Sequence, residues 1–324
     1  MMVKSRSINN RPQNEPMTVA VLMGGISSER EISIQSGQCV ASALSLGGYN
    51  VIEADITPDD LAILDDSRID VFFPVLHGRF GEDGTLQQIM EDKNLTYCGS
   101  DPSASRLAFN KVQSKQIFSQ AGITTPPFVY ISSPKQLDGL DEQTRQFGNK
   151  FVVKPSAEGS SVGITICSDA ETALAAAKDC FEQFGDAMVE KFIPGKELTV
   201  SVLANQPLEI IEIISKNAFY DYNAKYADND TQYLFDSLEG YSLNANLKSA
   251  AMNCFESLGC RDFARVDFIL CENEIAWTLE VNTIPGFTNH SLLPKAAKHA
   301  GISMQELCGR IVELAVERAE VSRL

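Results

Sequence analysis

Within residues 264–292, the stretches 264–270 and 275–282 alternate polar and apolar side chains, the pattern of strands with one buried face. Two strands are expected, 264–270 and 275–282, joined by the polar turn Cys271-Glu272-Asn273-Glu274. Alternate side chains of a strand share a face. Val266, Phe268 and Leu270 therefore take one face, and Arg265 and Asp267 the other. In the second strand Trp277, Leu279 and Val281 form the apolar face, with Thr278, Glu280 and Asn282 opposite. Pairing the apolar faces brings Asp267, Glu280 and Asn282 onto one polar surface, with Arg265 at its edge. Two carboxylates and an amide oxygen suit a hard cation such as Mg²⁺, which takes few protein ligands and leaves positions for substrate phosphates. An arginine beside them suits a developing anion. An amphipathic hairpin with a solvated polar face would show the same alternation. The next residues favour a site. Residues 283–291 carry Pro285 and Gly286, then Thr288, Asn289, His290 and Ser291, with no apolar period. Such a loop can aim N–H groups and hydroxyls at a small anion.

The N-terminal third reads as strand 18–23, a Gly24-Gly25 turn, helix 31–46, strand 51–55, strand 70–76 and helix 85–93. This series predicts a parallel sheet with helices on its faces. No G-x-G-x-x-G follows the first strand, so there is no dinucleotide fingerprint. A helix is expected over 104–120, ending at Gly122. Strands 151–154 and 164–167 flank a Gly/Ser-rich segment. Helix 169–184, closed by Gly185, leads to strand 187–192. Residues 197–204 and 208–214 read as a hairpin around Asn205-Gln206-Pro207. Residues 216–238 are polar, Tyr-rich and aperiodic, the pattern of a mobile lid that orders on ligand binding. Helices 246–258, 295–300 and 303–320 complete the reading. Residues 1–16 read as a disordered extension.

The formal net charge is −16, which argues against nucleic-acid or anionic-membrane binding. An anionic substrate then needs locally placed Lys and Arg. No apolar run approaches the ~20 residues of a membrane span. Lys4, Arg6 and Arg11 are not followed by the apolar core of a secretory signal. The eight cysteines show neither a C-x-x-C pair nor zinc spacing, and read as reduced thiols of a cytoplasm.

Four further features carry chemistry. Ser156, Gly159, Ser160, Ser161 and Gly163 follow Lys154 between two strands. They lack the G-K-[ST] of a P-loop, yet allow a flexible hairpin to close over phosphates while Lys154 supplies a charge. An exposed β-turn is the plainer alternative. Glu29 and Glu31 stand at a helix start, where anions usually bind. They either cap the helix or, at Glu29, face a substrate ammonium. His77 and His290 lie in Gly/Ser/Thr loops at strand ends, although a lone histidine is more often a bonded core residue. Lys111 reads by default as a solvated helix lysine.

Six segments occur in an order that resembles the D-alanine–D-alanine ligase family of ATP-grasp enzymes, over about residues 17–320. They are Gly-Gly-Ile-Ser-Ser-Glu-Arg-Glu (24–31), His-Gly-Arg-Phe-Gly-Glu-Asp-Gly (77–84), Lys-Pro-Ser-Ala-Glu-Gly-Ser-Ser-Val-Gly (154–163), Tyr-Asp-Tyr-Asn-Ala-Lys-Tyr (220–226), Arg-Val-Asp-Phe (265–268) and Glu-Val-Asn-Thr-Ile-Pro-Gly-Phe-Thr-Asn-His-Ser (280–291). The resemblance implies an α/β fold with α+β regions in three domains. These are a Rossmann-like parallel-sheet domain at 17–100, a central ATP-grasp subdomain at 101–195 and a C-terminal one at 196–324. It implies joining of two D-alanines through an acyl phosphate at the expense of ATP, for peptidoglycan synthesis in a bacterial cytoplasm, by a homodimer. Lys111 and Lys154 would bind ATP phosphates, with Ser160, Ser161, Phe219 and Lys225 also on the nucleotide. Glu190, Lys191, Phe192 and Ile193 would line the adenine pocket, and Glu197 would hold the ribose. Asp267, Glu280 and Asn282 would hold two Mg²⁺ or Mn²⁺. Glu29 would anchor the first D-alanine's ammonium. His77, Ser160, Asn282 and Lys225 would join the D-alanine sites, with Ser291 and Leu292 at the second carboxylate. Tyr226 would select D-alanine. Arg265 and the Gly286 N–H would form the oxyanion site. Glu29, Ser160, Tyr226, Arg265, Gly286 and Ser291 would be the catalytic set. One departure bears on the lid: after Tyr233 the family has a short Pro-Ala turn, and this chain has Leu234-Phe235-Asp236-Ser237. Ligation to D-lactate or D-serine, or a non-catalytic ATP-binding regulator, are the alternatives.

Overall fold

The computed structural model describes residues 15–215 and 231–321. Phe219, Lys225, Tyr226 and the rest of 216–230, which hold most of the expected lid, lie outside the described residues, as do 1–14 of the expected extension.

The strands form three sheets. The first is parallel, in the order β2 (Asn50–Ile56), β1 (Thr18–Gly24), β3 (Val71–Pro74). Residues 19–22 of β1 are fully buried, as befits a central parallel strand covered on both faces. Helix α1 (Arg30–Leu46) makes the crossover from β1 to β2, and α2 (Thr85–Asp92) follows β3. The expected parallel βαβ series is thus present, with β3 shorter than the 70–76 expected.

The second sheet is antiparallel, in the order β4 (Phe128–Ile131), β7 (Ala187–Lys191), β5 (Phe151–Lys154), β6 (Thr165–Cys167). Helix α6 (Ala170–Phe184) packs against it, after the short α5 (Leu140–Thr144). Asp169 caps α6 by accepting from Thr172 N at 2.8 Å, and Gly185 ends it at φ 84°. The third sheet is also antiparallel, in the order β10 (Gln232–Leu234), β9 (Gln206–Ile214), β8 (Lys196–Leu203), β11 (Phe263–Leu270), β12 (Ala276–Asn282). Helix α7 (Tyr241–Ser257) packs on this sheet.

One apolar core joins the first sheet to the third. It combines β1, β3 and α1 with β9 and the last two helices, α8 (Leu292–His299) and α9 (Met304–Val321). At its centre the rings of Phe73, Phe263 and Phe287 lie 5.5–6.4 Å apart, two of the three pairs edge to face. This cluster sets the 284–291 loop over the first sheet. No described helix is long and apolar enough to cross a membrane.

Several expected boundaries change. The helix expected over 104–120 is two helices, α3 (Pro102–Phe109) and α4 (Lys111–Gln120). Asn110 is extended between them and caps α4, its side chain accepting from Val112 N and Gln113 N at 3.1 and 3.0 Å. Lys111 thereby becomes a first-turn residue. The hairpin expected around Asn205-Gln206-Pro207 turns on two residues only. Ala204 and Asn205 both have positive φ (51° and 58°), and Gln206 and Pro207 belong to β9. Helix α7 starts at Tyr241 and α8 at Leu292, both ahead of the expected starts. Pro294 fits in the first turn of α8, where its missing N–H breaks no helical bond. The last part of the expected lid is an edge strand, β10. Around the unusual Leu234-Phe235-Asp236-Ser237 stretch, Tyr233 lies under Lys295 Nζ at 4.7 Å and Phe235 stacks on His299 at 4.0 Å.

The cap at Asn110 is testable. Asn110→Ala should remove about 1 kcal/mol of local stability. Differential scanning fluorimetry should show a melting temperature lower by about 2–4 °C, and Asn110→Asp should restore it. An unchanged melting temperature in Asn110→Ala would show that the break does not depend on the cap.

Candidate functional site

Two cavities meet at the β11–β12 ladder. Its register places Arg265 opposite Asn282 and Asp267 opposite Glu280. The polar surface expected from the alternation is therefore formed. The apolar face is not as expected. A bulge follows Asp267, so Phe268 faces Thr278 and Ile269 faces Trp277, and Leu279 is passed over. Thr278 is buried (1% exposed) on the Phe268 side, whereas Leu279 and Ile269 line a cleft beside Asp267 and Glu280. Period-two reading cannot register an inserted residue.

That cleft lies between the second and third sheets, with about 1060 Å³ of space that opens to solvent. Lys111, Lys154, Ser161, Glu190, Lys191, Phe192, Ile193 and Glu197 line it together with Asp267 and Glu280. Lysines, carboxylates and apolar side chains together in one cleft suit a nucleotide, which joins phosphates to a flat base. Lys111 is buried, not solvated as its default reading had it. Its Nζ donates to Glu158 O at 2.6 Å and lies 3.4 Å from Glu280 Oε2. Its backbone N–H donates to Ser156 O at 2.8 Å, docking the glycine-rich segment on the start of α4. Glu190 sits between two ammonium groups, Lys115 Nζ at 2.6 Å and Lys154 Nζ at 2.5 Å. Burial acts to raise its carboxyl, but the two ammoniums outweigh burial and hold it below the usual range. Lys115 is completely buried, and burial brings its ammonium down to about 8 against the pull of Glu190.

Asp267 is held on every side. Arg265 Nε and Nη2 each reach it at 2.9 Å, Thr199 Oγ1 at 2.6 Å and Asn282 Nδ2 at 3.1 Å. Among the described residues no three His, Cys, Asp or Glu side chains cluster as a metal site. A cation would rest on the Asp267 and Glu280 carboxylates and the Asn282 amide oxygen. This all-oxygen set, beside a cleft lined by Lys111 and Lys154, fits Mg²⁺ or Mn²⁺ sharing its coordination with a ligand.

The second cavity is smaller, about 550 Å³ of space that also opens to solvent. Glu29, His77, Ser160, Arg265, Asn282, Gly286, Ser291 and Leu292 line it, with Glu82 and His290. A small third cavity shares Lys111 and Glu280 with the cleft, and Glu82, Gly159 and Asn282 with this one. Glu29 occupies the cap position of α1 but makes no side-chain capping bond. Its carboxylate instead accepts from Ser160 Oγ. His77 is buried, and burial drives its imidazole toward the neutral form against the Glu29 charge. A hydrogen bond to the Ile284 backbone holds the ring, and its Nε2 has no hydrogen-bond partner among the described residues. A Cβ at Gly286 would stand 2.6 Å from Ser291 Oγ, so a larger residue there would displace that hydroxyl. Ser291 Oγ is fixed by Thr288 N at 3.0 Å, and Phe287 N by Ser36 Oγ at 3.2 Å.

Ser160 lies in the small cavity, and its neighbour Ser161 lines the cleft. Both residues have positive φ. The described structure thus brings together every expected site residue outside 216–230. Sequence reasoning missed Lys115 and Glu82. Lys115 follows Lys111 by one helical turn, and Glu82 lies inside the 77–84 motif. Glu82 accepts from Gly78 N at 2.6 Å, and burial, then the Glu29 charge, push its carboxyl up to about 8.

This shift gives a pH dependence. A carboxyl raised from 4.5 to about 8 keeps, in the folded state, a proton that the unfolded chain releases. Stability should fall as pH rises through that window. In ligand-free protein, Glu82→Gln should lose less melting temperature than wild type between pH 4.5 and 8. Parallel curves would refute the shift.

Comparison with known proteins agrees with this geometry. A family model described as D-ala D-ala ligase C-terminus matches residues 117–313, and one described as D-ala D-ala ligase N-terminus matches 63–100. A D-alanine--D-alanine ligase of Trichlorobacter lovleyi is 41% identical over 302 residues, covering 93% of this chain and 96% of that protein. The crystal structure of D-alanine--D-alanine ligase from Bacillus anthracis is similar at TM-score 0.82 and 34% identity, covering 94% of this chain and 99% of that one. A structure of the Bacillus anthracis enzyme complexed with ATP gives 0.80 and 30%, with the same coverage. Matched by a family model over residues 117–313 and 41% identical to a ligase across 93% of its length, the chain belongs to the D-alanine–D-alanine ligase family.

Proposed function

We infer that this protein joins two D-alanines into D-alanyl-D-alanine, using ATP. The observation that carries the reading is the shared strand pair. Asp267 and Glu280 line the larger cleft, and their ladder neighbours Arg265 and Asn282 line the small cavity. A phosphoryl group leaving the cleft at this ladder arrives at a small carboxylate held beside it.

A carboxylate is a poor electrophile, and phosphorylation supplies a leaving group. In this reading Lys111 and Lys154 hold the phosphates, Ser160 and Ser161 close over them, residues 190–193 hold the base and Glu197 the ribose. Asp267, Glu280 and Asn282 would hold Mg²⁺ or Mn²⁺, which when bound neutralises charge on the transferring phosphate. Glu29 binds the first D-alanine's ammonium through a charge-assisted bond, with His77 beside it. Ser291 and Leu292, at the start of α8, receive the second carboxylate. The second amine attacks the acyl phosphate, and Arg265 with the Gly286 N–H stabilises the tetrahedral oxyanion. Phe219, Lys225 and Tyr226 complete the expected set. The same reading takes 17–100, 101–195 and 196–324 as three domains, and places a homodimer in a bacterial cytoplasm serving peptidoglycan synthesis.

A phosphate-release assay with ATP, Mg²⁺ and a panel of D-amino and D-hydroxy acids tests the reaction. Turnover should be greatest with D-alanine alone; preference for D-lactate or D-serine as second substrate would overturn the choice of acceptor. Glu280→Gln and Asp267→Asn should each lower kcat by at least about 100-fold in folded protein, and near-wild-type turnover would remove them from the metal site. Glu29→Gln should raise KM for the first D-alanine roughly tenfold. A change confined to the second D-alanine or to ATP would place Glu29 elsewhere.

A further inference from the structure

Lys115 lies outside the expected site, yet its ammonium is the most enclosed charge near it. The residue is fully buried, where a lysine persists only with close partners. Its contacts lead to different parts of the fold. Glu190 Oε1 lies at 2.6 Å, on β7 in the wall of the larger cleft. Thr125 Oγ1 lies at 2.6 Å and Pro126 O at 3.2 Å, both on the connection from α4 to β4. Thr125 Oγ1 donates in turn to Thr278 O at 2.9 Å, and Thr278 N donates to Thr124 O at 2.9 Å. Thr278 is on β12, two residues before Glu280. One ammonium therefore ties the strand that carries Glu190 to the strand that carries Glu280.

We propose that Lys115 is a positioning residue for the nucleotide: it holds the Glu190 carboxylate from behind and fixes that cleft wall against β12. This rests on reading the larger cleft as the ATP site. Glu190 has an ammonium on each oxygen. Lys154 lines the cleft, and Lys115 does not. With Lys115 behind it, Glu190 stays balanced when Lys154 exchanges its carboxylate contact for phosphate oxygens. Without Lys115, the buried carboxylate has Lys154 as its one remaining ammonium partner among the described residues, and Lys154 leaves it for phosphate only at the cost of an unpaired buried charge. Lys115 thus acts through Glu190 and Lys154, without touching the ligand.

The test is a cycle of steady-state kinetics on the full chain with ATP, Mg²⁺ and D-alanine. Lys115→Met should raise KM for ATP about tenfold or more while both D-alanine constants stay within about twofold. In a Glu190→Gln background the same substitution should change KM for ATP less than about twofold, because the group it acts through no longer carries charge. An unchanged KM for ATP in the single variant, or an equal change in both backgrounds, overturns the role of Lys115. If Lys115→Met alone does not fold, Glu190→Gln and the Lys115→Met/Glu190→Gln pair, which leaves no unpaired carboxylate, carry the test by the same comparison. Wild type that fails to turn over ATP with D-alanine overturns the proposed function itself, and the Lys115 inference with it.

Discussion

Arg265, Asp267, Glu280 and Asn282 face one another across a single ladder, and the structure is arranged to keep them there. Burying Asp267 would be unfavourable alone. Arg265 approaches it through two nitrogens, which supplies geometry as well as charge. Thr199 on β8 donates from the next strand, and Asn282 from the opposite one. The carboxylate is therefore held by β8, β11 and β12 at once. The bulge after Asp267 then serves the cleft, because passing over Leu279 turns it and Ile269 toward the space beside the carboxylates. A regular ladder would have sent Leu279 into the core.

The net charge of −16 makes the positive side chains at the site informative. Lys111, Lys115, Lys154 and Arg265 each stand against a carboxylate: Glu280, Glu190, Glu190 again and Asp267. An acidic surface does not attract an anionic nucleotide, so local cations must do so within a short range. Their carboxylate partners hold them in place by short contacts of 2.5–3.4 Å. The arrangement favours desolvated, preorganised charge over long-range attraction.

The sequence carried much of this and failed at identifiable places. The β11–β12 pairing was legible because each face alternates cleanly up to Asp267. The bulge was not, because an extra residue leaves no mark in a period of two. The resemblance carried by the six ordered motifs also named residues outside them, Lys111, Glu190 to Ile193 and Glu197, and these line the cleft. Lys111 as a buried lysine was illegible from pattern alone. Apolar periodicity runs smoothly through 104–120, and the break depends on Asn110 choosing a cap and on Ser156 O receiving the Lys111 N–H. Glu82 was illegible for another reason: its shifted proton affinity arises from burial and from Glu29, which is distant in sequence. Lys115 needed the second sheet in place before its partner Glu190 could be seen.

The glycine-rich segment links the two cavities physically. Ser160 and Ser161 hold left-handed backbone, which costs an L-residue about 1–2 kcal/mol each and is kept only by surrounding contacts. Those contacts come from both sides. Ser160 donates to Glu29 in the small cavity, Glu158 O receives Lys111 Nζ beside the cleft, and the Glu158 carboxylate pairs with Arg79 at 2.7 Å. On the proposed reading, an amino-acid ammonium competes for Glu29 and a phosphate competes for Lys111. Each substrate then replaces a contact that holds the same short segment. Binding in one cavity changes what the other must displace, so the two sites share one element with two sets of partners.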